Sequence, residues 1–432
     1  MARAIVIEGR IEMTCTLMRS PLFLLTWLAA FSVQAAGPLP GANVESLLVA
    51  AREGSPEVRM VRLEAEAARE RIEPAGALPD PMLRIELENI TRNGSQDATL
   101  SPARVGDTKY TVLQPLPFWG KRDLKRELAS AEAGQASGRA DDTWSEIATR
   151  IKTLYAQYWL SSHAVRLTRE NIELSRQLEQ IAQVRYAAGL AAQQDAIRAQ
   201  VERSMLDSEL VGLENEYRQL SHFINAMLAR PGLAALAEPD ALRPLPARFD
   251  SASLQARLLA KNPQLAIEAA RQESAGKNRD LAYRNRYPDF TVGVSPMQVQ
   301  NRVDAWSLML EMNLPLQQGS RRSQERESER MLEAAAARKE ALGHRLQGEL
   351  SGALANLEAA RSTEEITRNR LLPQAELTFK SALAAYENGK VDFATLLDAQ
   401  RQIRNARLAL LRTQASQQMR LADIERLLGE DL

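Results

Sequence analysis

The 432-residue chain carries one plan twice. The segment SLLVAAREGSP at 46–56 resembles SLQARLLAKNP at 253–263, so that Pro56 and Pro263 lie 207 residues apart. Pro81 and Pro288 are separated by the same 207, whereas Pro117 and Pro315 differ by 198 and Gly189 and Gly389 by 200. Four landmarks in one order are hard to obtain by chance, and a fixed offset of this kind is the signature of an internal repeat. The fall in offset between the second and third landmarks places an insertion in the first copy, in the loop near 90–107. The expected organisation is a segment 1–35 ahead of the fold, a first repeat 36–229, a proline-rich crossover 230–250 and a second repeat 251–432.

Each copy reads as a helix of about 30 residues, two short strands and two very long helices. The first helices are predicted at 44–75 and 251–284. The long ones are predicted at 121–187 and 191–229, and at 320–387 and 391–429. Trp144, Ile147, Ile151, Leu154 and Tyr158 step by three and four, and Leu206, Leu210, Leu213, Tyr217, Leu220, Ile224 and Met227 keep the same step. Such a seam turns one face to a neighbouring helix in a left-handed coiled coil. A 67-residue helix rises about 100 Å at about 1.5 Å per residue, too long for a compact domain. Pro373 should bend or break its helix, while Glu173 stands at the matching place in the first copy.

The strands, in hairpins at about 82–116 and 289–313, alternate. Leu83, Ile85 and Leu87 interleave with Arg84, Glu86 and Glu88, and Phe290, Val292 and Val294 with Thr291, Gly293 and Ser295. Tyr110 and Val112 share a face. Trp306, Leu308, Leu310 and Met312 interleave with Ser307, Glu311 and Asn313, with Met309 as the exception. One apolar and one polar face suits a strand between lipid and water. It suits equally a small sheet resting on helices in a soluble protein. Four strands cannot close a barrel, and open edges are not tolerated in lipid. Strands that enter a membrane would therefore come from several chains sharing one barrel.

Arg19, the apolar run Pro21 to Val33 and the small-residue pattern Val33-Gln34-Ala35 read as an export signal, too short to span a membrane. The one cysteine, Cys15, precedes that run and would be removed with it. The 55 basic and 55 acidic residues balance, which argues against a nucleic-acid partner. His163, His222 and His344 lack metal-ligand spacing, no GxxxxGK[ST] phosphate loop occurs, and the 12 methionines are dispersed. The reading is therefore not an enzyme, with no cofactor and no resident metal.

The doubled plan, the strand hairpins between long helices and the repeated Tyr-x-x-Gly at helix turns resemble the TolC family of outer-membrane efflux proteins. RYAAGLAAQQDAIRAQ, YENGKVDFATLLDAQ, the Asn-Pro of LLAKNPQL and QPLPFWGKR carry the likeness over essentially the whole mature chain. The stretch from LPDPMLRIELEN to LPFWGKRDLKRELASAEA is most similar to the heavy-metal branch, of cobalt–zinc–cadmium or copper–silver type. The resemblance implies a mainly α chain with a small β part. It implies a homotrimer with a shared transmembrane β-barrel in the outer-membrane lipid above a periplasmic α-barrel. It further implies a periplasmic adaptor and an inner-membrane RND-type pump as partners.

Carried over residue by residue, the adaptor-contacting tips are Ala188, Gly189, Leu190 and Ala191, with Asn388, Gly389, Lys390 and Val391. Asp398 matches an aperture aspartate, whereas the neighbouring acidic position is Thr395. Three copies of an aspartate around a narrow axis would form an acidic ring. Asp195 and Tyr386 match a pair that hydrogen-bonds to hold the tunnel shut. The usual basic partner of that lock is absent: Val391 stands there, with Lys390 beside it. A drug-efflux or type I secretion duct of the same family is the alternative within this reading. A soluble periplasmic coiled-coil scaffold or adaptor is the alternative from another class.

Overall fold

A computed structural model describes residues 39–91, 98, 100–102, 105–246, 248–299 and 302–432. The proposed export signal and Cys15 lie outside the described residues, as does part of the insertion loop. The chain begins with α1 (Val44–Gly54), α2 (Pro56–Glu70) and α3 (Ile72–Gly76), then β1 (Met82–Glu88) and β2 (Asp107–Leu116). Two long helices follow, α4 (Lys121–Ala187) and α5 (Gln193–Met227). The described residues of the crossover 230–250 form no helix or strand. The order then recurs as α6 (Ser251–Lys261), α7 (Pro263–Arg284), β3 (Phe290–Val299), β4 (Arg302–Met312), α8 (Gln318–Ile366), α9 (Leu372–Glu387) and α10 (Phe393–Leu428).

The single first helix expected in each copy is broken at its proline. Ser55 and Asn262 are extended, with ψ of 121° and 125°, because the proline ring crowds a helical residue before it. Each proline then opens the next helix, where its missing N–H costs nothing. Asn262 also caps α7, accepting from the Leu265 N–H at 3.0 Å, and donates to the Leu427 carbonyl at 2.8 Å.

Of the bend or break expected at Pro373, the break does not occur, but the regular α-helix is interrupted there. A single π-helical turn, Thr367–Leu371, precedes the proline, and the backbone from Ile366 to Leu372 stays helical throughout. The wider turn absorbs the hydrogen bond that proline cannot make. At the matching place α4 passes Glu173 without interruption.

The four strands form one antiparallel sheet in the order β1-β2-β3-β4. Leu83 faces Val112, Val112 faces Val294, and Val294 faces Leu308, so one apolar row crosses the sheet. Leu116, Phe290 and Met312 form a second row. Most of this face is exposed, Leu308 at 77%. The opposite face carries Arg84, Glu86, Lys109 and Glu311 around a buried patch in which Ser295 Oγ donates to Thr111 Oγ1 at 2.8 Å. Met309, the exception in the alternation, points here. Its Cε lies 3.2 Å from where a Gly293 Cβ would stand, so the methionine fills the space that the missing side chain leaves.

Below the sheet the helices lie side by side in the order α2-α4-α7-α8, and farther down in the order α5-α4-α10-α9. Two apolar cores fasten the middle. Leu47, Ile147, Ile151, Tyr158 and Ile224 pack α1 onto α4 and α5, and Leu258, Leu346, Leu350 and Ile424 pack α6 onto α8 and α10. Each such fully buried side chain contributes about 1.5–3 kcal/mol. Between these cores lies a buried charge cluster. Glu425 accepts from Lys152 Nζ at 2.7 Å and from both Nη atoms of Arg243 at 3.1 and 2.9 Å, which ties α4 and α10 to the crossover.

Candidate functional site

The two helical hairpins end in matched turns. Gly189 and Gly389 have φ of +73° and +68°, a conformation that a side chain disfavours. The Leu190 N–H donates to the Arg185 carbonyl and the Lys390 N–H to the Ala385 carbonyl, both at 2.8 Å. The Gly189 and Gly389 N–H groups reach the carbonyls of Tyr186 and Tyr386 at 2.9 and 3.0 Å. This is the Schellman closure, made identically twice. Ala188, Gly189 and Leu190 are exposed, as are Asn388, Gly389 and Lys390, while Ala191 and Val391 are half-buried.

The helix starts beyond the turns differ. Asp392 caps α10, accepting from the Thr395 N–H at 3.0 Å and from its hydroxyl at 2.5 Å. Ala192 gives α5 no side-chain cap. Thr395 thus spends its hydroxyl on its own helix end. Asp398, one turn on, is exposed and stands 3.7 Å from Arg401. Arg401 turns instead to the buried Glu202 of α5, at 3.0 Å from Nε and 2.5 Å from Nη2.

Tyr386 sits in an apolar core with Leu178, Ala199, Phe393 and Leu396, and the Asp195 carboxylate is near enough to act on its phenol. Tyr386 is 3% exposed and its hydroxyl has no hydrogen-bond partner among the described residues, so the bond expected between this pair is not made within the chain. Burial, then the nearby Asp195 carboxylate, pushes the Tyr386 phenol above its ordinary value, with Arg185 opposing. The phenol stays protonated at neutral pH.

Sequence reasoning missed Arg185. Its guanidinium stands 5.0 Å over the Tyr386 ring, and Nη1 donates to the Glu387 carbonyl at 2.6 Å. The available signal was its place as the basic residue in the last turn of α4, where it complements the helix dipole. Its reach to the other hairpin could not be read from that.

Higher up, α2, α4, α7 and α8 together enclose a groove of about 960 Å³, lined by charged side chains including Glu64, Arg71, Glu132, Arg139, Arg271 and Arg338. Four adjacent helices can share one groove only if their layer is concave. No helix among the described residues is long and apolar enough to cross a membrane, and none of their His, Cys, Asp and Glu residues group as a metal site.

Residues 47–229 and 254–430 match the family described as outer membrane efflux protein. The chain belongs to this family. It is an efflux channel protein, not an enzyme. The cobalt-zinc-cadmium resistance protein CzcC of Cupriavidus metallidurans is 23% identical over 410 residues, 92% of either chain. The outer membrane protein VceC of Vibrio cholerae shares the fold, with a TM-score of 0.76 at 18% identity over 90% of this chain and 96% of its own. CusC, whose crystal structures concern transmembrane channel formation, superposes with a TM-score of 0.77 at 17% identity, over 91% of this chain and 93% of its own. As in this family of channels, a mostly helical chain carries a small antiparallel sheet.

Proposed function

We propose that three copies of the chain form the outer-membrane exit duct of a tripartite efflux system. The observation that carries this reading is the open sheet, whose edge strands β1 and β4 have no further strand partner among the described residues although its outer face is apolar. In lipid such edges must be closed. Three four-stranded sheets would give twelve strands; β2, β3 and β4, of 10, 10 and 11 residues and tilted by about 45°, are long enough to cross an apolar band of about 25 Å, and the 7-residue β1 is shorter. The concave, charged groove then faces a water-filled tunnel, and the helices reach into the periplasm.

The exposed tips around Gly189 and Gly389 receive a periplasmic adaptor, which joins the duct to an inner-membrane RND-type pump. Asp195 and Asp398 line the aperture, Thr395 adds no charge to it, and Arg185 over Tyr386 holds the two hairpins together. Heavy-metal cations are the proposed cargo, supported by the likeness to CzcC over 92% of the chain and by the aspartates Asp195 and Asp398. Membrane fractionation, detergent-solubilised mass and planar-bilayer recording test the duct. A trimer with ion conductance is expected, and a soluble monomer overturns the reading. Deleting the gene should sensitise cells to divalent metals; sensitivity to drugs alone would redirect the cargo.

A further inference from the structure

At the foot of the sheet the chain turns from strand to helix through residues 117–120. Trp119 is 76% exposed there, with its ring 6.3 Å from Phe290, on the apolar face. Phe118 stacks on Tyr287 at 4.5 Å. Exposed aromatic rings of this kind mark the level where hydrocarbon meets water. The turn is pinned: Lys121 Nζ and the Phe118 N–H both donate to Asp289 Oδ1 at 2.8 Å.

Directly below Trp119 lies a cleft of about 560 Å³ lined by Gly120, Asp123, Glu127, Arg279, Tyr283 and Arg284, among others. It opens on the side away from the tunnel. On α4 the cleft takes Gly120, Asp123, Leu124 and Glu127, whereas the concave groove takes Ala129, Glu132, Gln135 and Arg139. Glu127 and Ala129 point about 200° apart at 3.6 residues per turn. Gly120 to Glu127 descends about 10 Å, and the polar headgroup layer is about 5–8 Å deep. The upper part of the cleft therefore lies at headgroup level.

Most of its charges are already paired. Glu127 holds Lys277 at 2.7 Å, Arg279 holds Asp280 at 2.6 Å, and the Tyr283 hydroxyl donates to Glu329. The side chains of Arg284 and Asp123, at the membrane end, make no ion pair or hydrogen bond among the described residues. The Arg284 guanidinium lies against Gly120, 3.9 Å from where a Cβ would stand. One free cation and one free anion thus share a cleft beneath the aromatic collar.

We infer that this cleft binds the headgroup of a phosphatidylethanolamine molecule in the inner leaflet. The phosphate takes the planar fork of Arg284, which suits its geometry. The primary ammonium donates to Asp123. A choline headgroup has no N–H to donate, and a glycerol headgroup has no cation. The inference rests on the reading of the sheet as lipid-embedded.

The test uses the full-length detergent-purified protein, delipidated and titrated with phosphatidylethanolamine, phosphatidylcholine or phosphatidylglycerol of equal chain length, with bound lipid counted by native mass spectrometry. One charge-assisted hydrogen bond is worth about tenfold in affinity, so the ethanolamine lipid should exceed the choline lipid by about that factor. Arg284→Ala should lose all three lipids, and Asp123→Asn should bring ethanolamine and choline lipids level. Equal binding of the three, preference for the glycerol lipid, or indifference to both substitutions at unchanged oligomer mass overturns the inference. Membrane flotation separates the two readings. A protein that does not float overturns the duct and the lipid site together; one that floats without headgroup preference overturns the lipid site alone.

Discussion

Arg185 and Glu387 join two hairpins that are 202 residues apart in the chain: the guanidinium Nη1 of the first donates to the main-chain carbonyl of the second at 2.6 Å. The same guanidinium covers the Tyr386 ring, so one side chain straps the end of α4 to the end of α9. Val391, at the position where a basic residue is usual, packs instead against the apolar core of the tips. The cation that spans the tips comes from the first hairpin.

Arg185→Ala should loosen the tips. Losing a charge-assisted hydrogen bond and a cation–π contact amounts to about 2–4 kcal/mol, or roughly one and a half to three orders of magnitude in the ratio of open to closed channels. Single-channel recording would show larger or longer openings. Arg185→Lys, which keeps the charge without the planar fork, should fall between. Unchanged conductance in the alanine variant removes the strap from gating.

Tyr386→Phe should leave conductance as it is and be neutral or slightly stabilising. Its hydroxyl is buried without an acceptor, so nothing bonded is lost. A rise in conductance would mean that the hydroxyl gains a partner in the closed assembly.

Lys152→Met should cost about 3–5 kcal/mol, because it leaves the buried Glu425 carboxylate short of its nearest cation. Thermal or denaturant unfolding would report the loss. Arg243, at 2.9 Å on the same carboxylate, limits the damage, and the double variant should be worse than the sum.

Acid should weaken the middle of the molecule through His163. Burial, first, holds its imidazole below the ordinary value, and Nδ1 lies 2.9 Å from the Trp159 carbonyl. A depressed histidine is neutral when folded but gains a proton at about pH 6.5 when unfolded. Its contribution is therefore present above about pH 6.5 and is lost as pH falls below it. Melting temperatures at pH 7.5 and 5 should differ less in His163→Gln than in the parent.

Ile197, Val201 and Met205 form an exposed apolar stripe on α5, the outermost helix of the lower layer. Val201→Glu with Met205→Glu should leave helix content unchanged by circular dichroism but convert the proposed trimer to monomer in detergent. A persistent trimer would place the subunit contact elsewhere.

Much of this architecture was legible in the residues. The long helix α4 begins and ends where Gly120 and Gly189 punctuate an unbroken stretch, so its bounds, 121–187, could be read directly. The strands followed from alternation. What escaped depended on distance in the chain. The pairing of β2 with β3 joins residues nearly 200 apart, such as Asp107 and Val299, and no local pattern announces it. Met309 broke the alternation for a reason that lay across the strand, in Gly293. Pro56 and Pro263 mark the repeat, and each also breaks its helix locally, by forcing the residue before it to be extended. At the tips the turns were plain, but the reach of Arg185 and the retreat of Thr395 onto Asp392 depend on side-chain directions that spacing alone leaves open.

The pairing of β2 with β3 also bears on how a ring of these chains is put together. It joins the last strand of the first copy to the first strand of the second. When β4 of one chain meets β1 of the next, the last strand of a second copy meets the first strand of a first copy, the same junction again. A closed trimer would therefore contain six near-equivalent seams, three made inside chains and three between them. Half of the ring's joints are preformed by a crossover of 21 residues, 230–250. Each joint that need not form between free partners is spared a loss of translational and rotational freedom on the order of 4–15 kcal/mol. In the proposed trimer, duplication would turn a six-body encounter in the membrane into a three-body one.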